Sequence, residues 1–233
     1  MNEVSSRLEM LIGDKSLDIL KNSHVAVFGA GGVGGYTIEA LARSFVGEIT
    51  IVDNDNISLS NINRQILATS NSVGRKKVEV AKERVLSINP ECVVHTSDLF
   101  FLPENADKID FSQFDYIVDA IDTVSAKIEL AKIAQKMNIP IVSSMGTGNK
   151  LHPEMLEVAD LYKTSVCPLA RAMRSLCKKN GIKKLKVVYS KEEPVKNNSP
   201  ENSGVKVVPS SSAFVPPTAG MIIASVVVND LIK

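Results

Sequence analysis

The sequence predicts an α/β protein with a doubly wound, largely parallel Rossmann-like sheet and a C-terminal extension lobe. Short runs rich in β-branched residues alternate with segments of helical periodicity, which indicates parallel strands joined by crossover helices. The runs are apolar at successive positions, as strands covered on both faces require. A glycine-rich turn directly follows the first run and opens a helix, which is typical of nucleotide-binding Rossmann folds.

The elements follow in chain order. The predicted strands of the first 145 residues are HVAVF (24–28), EITIV (48–52), CVVHT (92–96), DYIVDAI (115–121) and PIVSS (140–144). Helical periodicity predicts helices over 33–43 and 125–137. Beyond residue 146 the pattern changes to a loop, GTGNKLHP, then a basic helix over 168–180 opened by proline, then a strand, LKVVYS. We therefore predict a nucleotide-binding domain over 1–145 and a substrate-binding lobe over 146–233.

The C-terminal part of the chain holds a polar segment followed by an apolar one. Residues 192–212 contain Pro, Asn, Ser, Glu and Lys with few large apolar side chains, so we predict a mobile loop, either a solvated connector or a lid. Residues 213–232 are strongly apolar but include two prolines, Asn229 and Asp230. This interruption favours a buried terminal helix over a bilayer span.

Composition limits the classes of protein that fit the chain. A length of 233 residues with 44% hydrophobic content is enough to bury one good core. The start, MNEVSSRLEM, carries acids and no uninterrupted apolar stretch, which predicts neither a signal peptide nor a transit peptide. We expect a cytoplasmic protein with no membrane association.

Metal-ligand spacing is absent from the sequence. The chain has three cysteines and three histidines: Cys92, Cys167, Cys177, His24, His95 and His152. The cysteines are too few and too scattered for a disulfide framework or for paired CxxC zinc ligands, so we expect no structural zinc. The histidines have no partners at metal-ligand spacing, and we assign them no role.

Charge is distributed unevenly although the net charge is only +1. Between residues 161 and 191 there are nine bases and no acid: Lys163, Arg171, Arg174, Lys178, Lys179, Lys183, Lys184, Lys186 and Lys191. Such a segment suits an anionic partner. Solvation of an ordinary helix and strand is the alternative.

The glycine turn is the first candidate binding element. Gly29, Gly31 and Gly34 form GxGxxG directly after the first predicted strand, where backbone N–H groups can approach phosphate. Asp53 follows the second strand, 19 residues after the last glycine, where an acid can hydrogen-bond ribose hydroxyls. Taken alone, these residues would fit NAD, and a purely structural turn is the remaining alternative.

Two bases close to this acid favour a triphosphate. Arg64 and Lys77 lie in the stretch that follows Asp53. A dinucleotide's pyrophosphate needs little beyond a helix N-terminus, whereas a triphosphate that loses pyrophosphate calls for side-chain cations. Without the neighbouring motifs, both residues would fit better as surface bases on amphipathic helices.

An acid near the end of the DYIVDAI strand completes the predicted site. Asp122 lies at the carboxyl edge of the sheet, where an ionised carboxylate can hold Mg²⁺ against phosphate oxygens. Asp119 could compete for that role from within the strand. Asp122 could alternatively be no more than a helix N-cap.

Together these motifs resemble the ubiquitin-activating-enzyme-like superfamily of adenylating enzymes. The elements that carry the resemblance are GxGGxG at 29–34, Asp53 with Asp55, SNINRQ at 60–65, Lys77 and DAID ending at Asp122. The resemblance implies an ATP-binding adenylation domain over 1–145 in a homodimer. It implies that ATP and Mg²⁺ are held by Gly29, Gly31, Gly32, Gly34, Asp53, Asp55, Asn61, Arg64, Gln65, Lys77, Asp122 and Thr123. Arg64, Lys77 and Asp122 would act in catalysis, with Asp122 on the metal, and Arg7 would reach the ATP of a partner subunit.

Within the superfamily, the chain resembles the tRNA threonylcarbamoyladenosine dehydratases. NRQI, SINPEC, DAIDTV, ADLYKTSVCPLARAMR and KVVYS carry this likeness. It implies adenylation of the threonyl carboxylate of the modified tRNA base and then cyclisation with net loss of water. An enzyme with this function has to bind tRNA, and we predict that the basic residues Arg171, Arg174, Lys178 and Lys179 do so. A sulfur-delivery protein is a further candidate partner.

Two rival interpretations stay open at the level of sequence. An activator of a small ubiquitin-like sulfur-carrier protein would use the same ATP site on a C-terminal Gly-Gly carboxylate. A nucleotide sensor or NAD-binding regulator without chemistry is the second rival, against which Arg64, Lys77 and Asp122 argue. Cys167 could serve the first rival as a thiol acceptor, although a small packed residue is the favoured interpretation. Cys92 and Cys177 are predicted to be structural.

Overall fold

The computed structural model describes residues 3–195 and 209–233. The strands are β1 His24–Phe28, β2 Glu48–Val52, β3 Val93–Ser97, β4 Tyr116–Asp119, β5 Ile141–Ser144, β6 Leu156–Asp160 and β7 Lys186–Ser190. The α-helices are α1 Ser6–Ile12, α2 Asp14–Lys21, α3 Gly34–Arg43, α4 Lys77–Ile88, α5 Val124–Met137, α6 Pro168–Lys179 and α7 Val215–Leu231.

The strands form one seven-stranded sheet in the order β3-β2-β1-β4-β5-β7-β6. All neighbouring pairs are parallel except β6 and β7 at the edge. The strand order reverses between β1 and β4, which is the switch point where ligands bind in doubly wound folds. The predicted fold class is therefore confirmed, and the loops that carry the predicted site converge at one edge of the sheet.

Alternate strand residues enter separate apolar layers. On one face, Val25 and Val27 pack with residues of α3, α4 and α7. On the other, Ala26 and Phe28 pack with α5 and a cluster of phenylalanines. Burial on both faces explains why the strands form continuous apolar runs rather than alternating ones.

The terminal helix α7 belongs to this core, as predicted. Gly220 allows it to approach α3 closely, because a Cβ at that position would lie 2.3 Å from the Val33 carbonyl oxygen. Thr37 Oγ1 donates to the Gly220 carbonyl at 3.1 Å. No helix within the described residues is both long enough and apolar enough to cross a membrane.

The C-terminal residues share the sheet of the N-terminal ones. β7 pairs in parallel with β5, so the boundary predicted after residue 145 falls within one continuous sheet. The division into an ATP-binding and a substrate-binding part stays a prediction about function. Of the predicted mobile loop at 192–212, residues 196–208 lie outside the described residues. Its two described flanks both bond to Asn149, from Val195 and Ser210.

Three details differ from the predicted elements. β4 ends at Asp119, two residues before the predicted end, so Asp122 lies in the following loop. Cys92 precedes β3 instead of lying within it. The sequence does not indicate β6, because its half-buried edge position leaves no apolar run.

Candidate functional site

A cavity of about 880 Å³ opens at the carboxyl edge of the parallel strands. This size suits a nucleotide together with part of a second substrate. Its lining includes every residue predicted to bind ATP except Gly34. Those residues are Gly29, Gly31, Gly32, Asp53, Asp55, Asn61, Arg64, Gln65, Lys77, Asp122 and Thr123.

Two glycines of the turn are required by packing rather than by ligand contact. Gly29 has φ +92°, and a Cβ there would lie 2.7 Å from the Ala120 carbonyl oxygen. A Cβ on Gly34 would lie 1.7 Å from the Gly29 carbonyl oxygen. Gly34 thus lets α3 begin directly against the turn and does not itself line the cavity. Gly31 has open space around it, since a Cβ there would meet nothing closer than 3.9 Å, whereas a Cβ on Gly32 would lie 3.2 Å from Pro216 Cβ. Both line the cavity and can offer backbone N–H groups to a ligand.

Asp53 ties the end of β2 to the glycine turn. Its Oδ2 accepts from the Ala30 backbone N–H at 2.7 Å and its Oδ1 from the Asp55 N–H at 2.8 Å. Each carboxylate oxygen keeps a further lone pair for a ribose hydroxyl. The acid is therefore held in a fixed orientation at the floor of the cavity.

Lys77 is a buried base, not a surface one. It begins α4, and its side chain is only 6% exposed. Its Nζ lies 2.6 Å from Asp55 Oδ2 and 3.7 Å from Asp53 Oδ2. The alternative of a solvated helix base is therefore wrong for Lys77. Its ammonium sits among the nucleotide-binding acids, where an arriving phosphate could share it.

Arg64 and Gln65 lie beside the glycine turn. Arg64 is half-buried, and its Nη1 donates to the Ser60 carbonyl at 2.8 Å and to Asn63 Oδ1 at 2.9 Å. Gln65 is 7% exposed, and within the described residues no donor reaches its buried Oε1. An unmet buried acceptor is costly, so Gln65 is suited to receive a hydrogen bond from a bound ligand.

Asp122 and Asp119 have opposite surroundings. Asp122 is exposed in the loop before α5, and among the described residues its carboxylate accepts only from Thr123 Oγ1, at 3.5 Å. The N-cap of α5 is Thr123, so the N-cap alternative for Asp122 is not realised. Asp119 is fully buried, 3.0 Å from Lys127 Nζ, and accepts from Ser143 Oγ. Asp119 is therefore unable to compete for the metal, and Asp122 has a free carboxylate that fits Mg²⁺.

The structure adds a cavity residue that the sequence did not indicate. Lys150 lies in the loop after β5, lines the cavity and is 3% exposed. Within the described parts of the chain, its ammonium has neither an ion pair nor a hydrogen-bond acceptor. A buried charge without a counter-ion is unfavourable, so this position calls for an anionic ligand. In the sequence, Lys150 appears only as the last residue of the loop GTGNK. A charged residue in a loop is normally solvated, so the sequence offers no reason to place Lys150 in a binding site.

The three cysteines are buried. Cys167 is 1% exposed at the start of α6, where it packs with Ala170 and Met173 and also lines the cavity. Burial raises the pKa of the Cys92 thiol to about 11, and it does the same for the pKa of Cys177. Cys92 and Cys177 are thus structural, as predicted.

In the folded chain, tertiary contacts pair or partly bury some of the nine bases of residues 161–191. Lys186 pairs with Asp230 and Lys191 with Glu157, so acids from outside the segment neutralise two of its nine bases. Arg174 is half-buried and donates to the Thr164 carbonyl at 3.0 Å. The exposed bases that have no ion pair among the described residues are Lys163, Arg171, Lys178, Lys179, Lys183 and Lys184. Because α6 begins at the cavity with Pro168, this basic surface extends outward from the site.

Two of the histidines come together, contrary to the sequence interpretation. His24 Nδ1 lies 3.5 Å from Glu48 Oε1, and His95 Nε2 lies 2.7 Å from the same oxygen. Burial lowers the pKa of His24, although Glu48 acts in the opposite direction. Linear spacing missed this cluster because three neighbouring strands supply its members.

Arg7 lies away from the cavity of its own chain. It is exposed on α1 and is not among the residues that line the site. Its predicted action across a dimer interface stays a prediction.

Known proteins resemble this chain in sequence and in fold. The profile of the ThiF family matches residues 5–233. A Bacillus subtilis protein named tRNA threonylcarbamoyladenosine dehydratase is 43% identical over 98% of this chain and 94% of its own. Solved structures of the Escherichia coli enzyme of that name, one with ATP and one with AMP, superpose with a TM-score of 0.88. They are 34% identical, over 97% of this chain and 92% of theirs.

A second group of relatives is similar over less of the chain. A Vanderwaltozyma polyspora protein named adenylyltransferase and sulfurtransferase UBA4 is 37% identical over 56% of this chain and 30% of its own. The resemblance to adenylating enzymes is thus confirmed, and the 43% identity to the Bacillus subtilis dehydratase extends over nearly the whole chain.

Proposed function

Because the chain belongs to the ThiF family, we propose that it binds ATP in this cavity and adenylates the threonyl carboxylate of threonylcarbamoyladenosine in tRNA. Cyclisation with net loss of water follows, and the other products are AMP and pyrophosphate. The observation that carries the proposal is the cavity at the switch point, which joins a glycine turn, a buried lysine and a free aspartate. The extended similarity to dehydratases supports the choice of substrate.

Each part of the cavity has a role in this proposal. Backbone N–H groups of Gly31 and Gly32 receive phosphate at the start of α3, and Asp53 binds the ribose. Asn61, Arg64 and Lys77 bind the triphosphate. Lys77 exchanges part of its contact with Asp55 for a phosphate oxygen, so the cation is already in place when negative charge develops.

Asp122 would hold Mg²⁺, because its carboxylate has no competing ion pair among the described residues. When bound, the ion neutralises phosphate charge as pyrophosphate departs. The chain's own contribution is to hold Asp122 in the loop after β4, beside Thr123, in the same cavity as the glycine turn.

The reaction needs no enzyme nucleophile. A carboxylate oxygen of the substrate attacks the α-phosphorus, and the bond to the β-phosphate breaks with release of pyrophosphate. A nucleophile within the substrate then attacks the acyl carbon and expels AMP, which carries away the carboxylate oxygen. Cys167 lines the cavity, but the scheme gives its thiol no covalent role.

Lys150 is assigned to the substrate carboxylate. It lines the same cavity as Asp122 but comes from the loop after β5, within the part of the chain predicted to bind substrate. A buried ammonium without a counter-ion gains the most from an anionic ligand. It would orient the carboxylate and then stabilise charge during transfer.

The same proposal includes how the enzyme binds tRNA, that it forms a dimer, and where in the cell it acts. The exposed bases of α6 lead away from the cavity and bind the tRNA backbone. The enzyme acts as a homodimer in the cytoplasm, with Arg7 reaching the partner's ATP. Residues 1–145 bind ATP, and residues 146–233 supply most of the substrate contacts.

The rival substrate is a sulfur-carrier protein with a C-terminal carboxylate. It is less well supported, because the similarity to UBA4 proteins covers only 56% of this chain. A docked sulfur-delivery protein would be compatible with either substrate. An NAD-binding sensor would have no use for the buried Lys77 or for the exposed Asp122 carboxylate, which has no ion pair within the described residues.

Mass spectrometry of nucleosides tests the proposal. Threonylcarbamoyladenosine-containing tRNA is incubated with the protein, ATP and Mg²⁺, and digested mildly because a cyclic product could reopen. We expect a nucleoside lighter by one water, with AMP formed in equal amount. Failure to form AMP with this tRNA, together with adenylation of a Gly-Gly-terminated carrier protein, would establish the rival instead. Tight NAD binding without binding of Mg·ATP would overturn both.

A further inference from the structure

We propose that His24, Glu48 and His95 form a binding site for one divalent transition-metal ion, with Zn²⁺ as the preferred ion. The three ligand atoms lie within 4.8 Å of one another. The cluster is at the amino ends of β1 and β2, the edge of the sheet opposite the nucleotide cavity. None of its residues takes part in the proposed reaction.

Strand register creates the cluster. His24 of β1 is directly beside Glu48 of β2, and Thr50 of β2 is beside His95 of β3. Glu48 and Thr50 are two residues apart and therefore project from the same face of the sheet. The four side chains consequently form one polar group, although the strands are far apart in sequence.

The distances already approach those of a ligand set. Glu48 Oε1 lies 2.7 Å from His95 Nε2 and 3.5 Å from His24 Nδ1. Both nitrogens thus face one carboxylate oxygen, and the 2.7 Å contact is a hydrogen bond between His95 and Glu48. A metal ion would replace this hydrogen bond, with the His95 proton on Nδ1 and bonds of about 2.0–2.2 Å to the three ligand atoms. Two imidazoles and one carboxylate form a donor set that zinc sites use, with the fourth position left to water.

A neighbouring hydroxyl supports this orientation of His24. Its Nε2 lies 2.8 Å from Thr50 Oγ1. When Nε2–H donates to Thr50, the lone pair of Nδ1 is directed toward Glu48. Metal-binding histidines characteristically donate their second ring N–H in this way, which fixes both the tautomer and the ring.

Packing holds one side of the cluster and leaves the other open. His24 is buried, and Phe114 contacts its ring edge-on with the centroids 4.9 Å apart. The Glu48 and His95 side chains are 37% and 52% exposed. An ion can therefore enter from solvent onto a ligand that is already fixed. Asp115, which accepts from the His24 backbone N–H at 2.7 Å, adds negative charge nearby.

The ligand chemistry selects the class of ion. Imidazole nitrogen favours Zn²⁺, Co²⁺ and Ni²⁺, whereas Mg²⁺ and Ca²⁺ prefer all-oxygen sites. The nucleotide cavity offers the Asp122 carboxylate and phosphate oxygens instead. Zn²⁺ and Mg²⁺ should therefore bind at opposite edges of the sheet without competing.

A bound ion would act on stability more than on turnover. It would join β1, β2 and β3 at the edge where β3 has no further neighbour among the described strands. Binding to the folded chain alone raises its unfolding temperature by mass action. The expected role is a structural clamp on this end of the sheet, which replaces the expectation of no structural zinc that rested on cysteine spacing.

The test uses the full chain after removal of metal with a chelator. Titration calorimetry with Zn²⁺ should show one equivalent bound, and Co²⁺ should give a visible absorption band without a thiolate charge-transfer band. Zn²⁺ should raise the unfolding temperature, whereas Mg²⁺ at the same concentration should not. His95→Gln and Glu48→Gln should each weaken Zn²⁺ binding by more than about tenfold, since even loss of an outer-sphere partner costs about that much.

His152→Gln provides the matched control. His152 also contacts an acid, Glu154, at 2.8 Å, but both are exposed, and within the described residues they do not belong to a group of three ligand atoms close enough to hold an ion. This variant should bind Zn²⁺ as wild type does. The proposal is overturned if no equivalent binds, if binding persists in both ligand variants, or if it is lost in His152→Gln. A cobalt–thiolate band would likewise overturn it by assigning the metal to a cysteine.

Discussion

Two aspartates that are three residues apart in the sequence differ in their exposure to solvent. Asp119 is fully buried with Lys127, whereas Asp122 is exposed at the cavity. Asp122→Asn should abolish ATP-dependent AMP formation without lowering the unfolding temperature, because it removes a metal ligand and no packing. Asp119→Asn should destabilise the fold by about 3–5 kcal/mol, because it leaves the Lys127 charge buried without its partner.

Calorimetric unfolding and an AMP assay on both variants check this contrast. Near-normal AMP release by Asp122→Asn would show that another group holds the metal. Equal loss of stability in the two variants would contradict the assignment of separate roles.

Lys150 is predicted to act at the residue scale as an anion receptor. Lys150→Met keeps the length of the side chain but removes the charge, so kcat/KM for tRNA should fall by on the order of 10²-fold. The unfolding temperature should not fall, because a buried ammonium that has no partner in the described part of the chain is replaced by an apolar group. Steady-state kinetics and thermal unfolding measure the two effects.

Lys132→Met is the control for this prediction. Lys132 is an exposed base on α5 that pairs with Glu129 at 2.7 Å. Its replacement should leave kcat/KM unchanged. A fully active Lys150→Met enzyme would remove Lys150 from the substrate site.

At the scale of elements, an acid near the end of α7 fastens this helix to the sheet. Burial would raise the pKa of Asp230, but hydrogen bonds from Lys186, Lys233 and Tyr116 outweigh it and bring the pKa to about 2. The folded pKa lies below the ordinary value of 3.8, so the stabilisation is complete above that value and disappears as the pH falls through about 2.

Asp230→Asn should therefore cost about 2 kcal/mol of unfolding free energy at pH 7. The difference between variant and wild type should shrink steadily as the pH falls below the ordinary aspartate pKa of 3.8. Denaturant unfolding at a series of pH values measures it. A difference that does not depend on pH would assign the contribution of Asp230 to packing rather than to charge.

The helix α6 is predicted to bind tRNA through its exposed bases. Replacing Arg171, Lys178 and Lys179 with Gln should weaken tRNA binding and flatten the log–log salt slope by about 0.9 for each duplex phosphate that these side chains neutralise in the wild type. Affinity for ATP should hold, because these side chains lie outside the cavity lining. Arg174 is kept in this variant, since its bond to Thr164 gives it a structural role as well.

Binding isotherms over a range of salt concentrations test α6. A control with Gln at Lys15, Lys21 and Lys82, three exposed bases of α2 and α4, removes the same charge elsewhere. Equal effects of the two triple variants would show a nonspecific response to net charge, and an unchanged slope for the α6 variant would exclude its binding to the tRNA backbone.

At the scale of the whole molecule, completion of the ATP site by a second subunit is predicted. Arg7 is exposed and remote from the cavity of its own chain. Arg7→Ala and Asp122→Asn homodimers should both be inactive. A mixed dimer should regain activity at one of its two sites, where Asp122 of one subunit meets Arg7 of the other.

Co-expression with two affinity tags isolates the mixed dimers, and AMP formation measures the rescue. Verified mixed dimers without activity would place Arg7 outside the partner's site. A protein that is active as a monomer at high dilution would exclude sharing altogether.

The sequence by itself determined the fold class and much of the candidate cavity. Apolar runs alternating with helices specify a doubly covered parallel sheet, and its carboxyl edge follows from the strand direction. The glycine turn, Asp53 and Asp122 each adjoin a strand end, so local sequence was enough to bring them to the same edge. Arg64, Gln65 and Lys77 followed from the family pattern, and all line the cavity.

Only the tertiary structure decided which charged side chains are buried, paired or left without a partner. It buried Lys77 beside Asp55, removed Asp119 from the cavity, neutralised Lys186 with Asp230 and left Lys150 without a counter-ion among the described residues. It also gathered His24, Glu48 and His95 from three strands. Whether a side chain is buried or paired depends on contacts between residues far apart in the chain, and those contacts exist only once strand order and register are fixed.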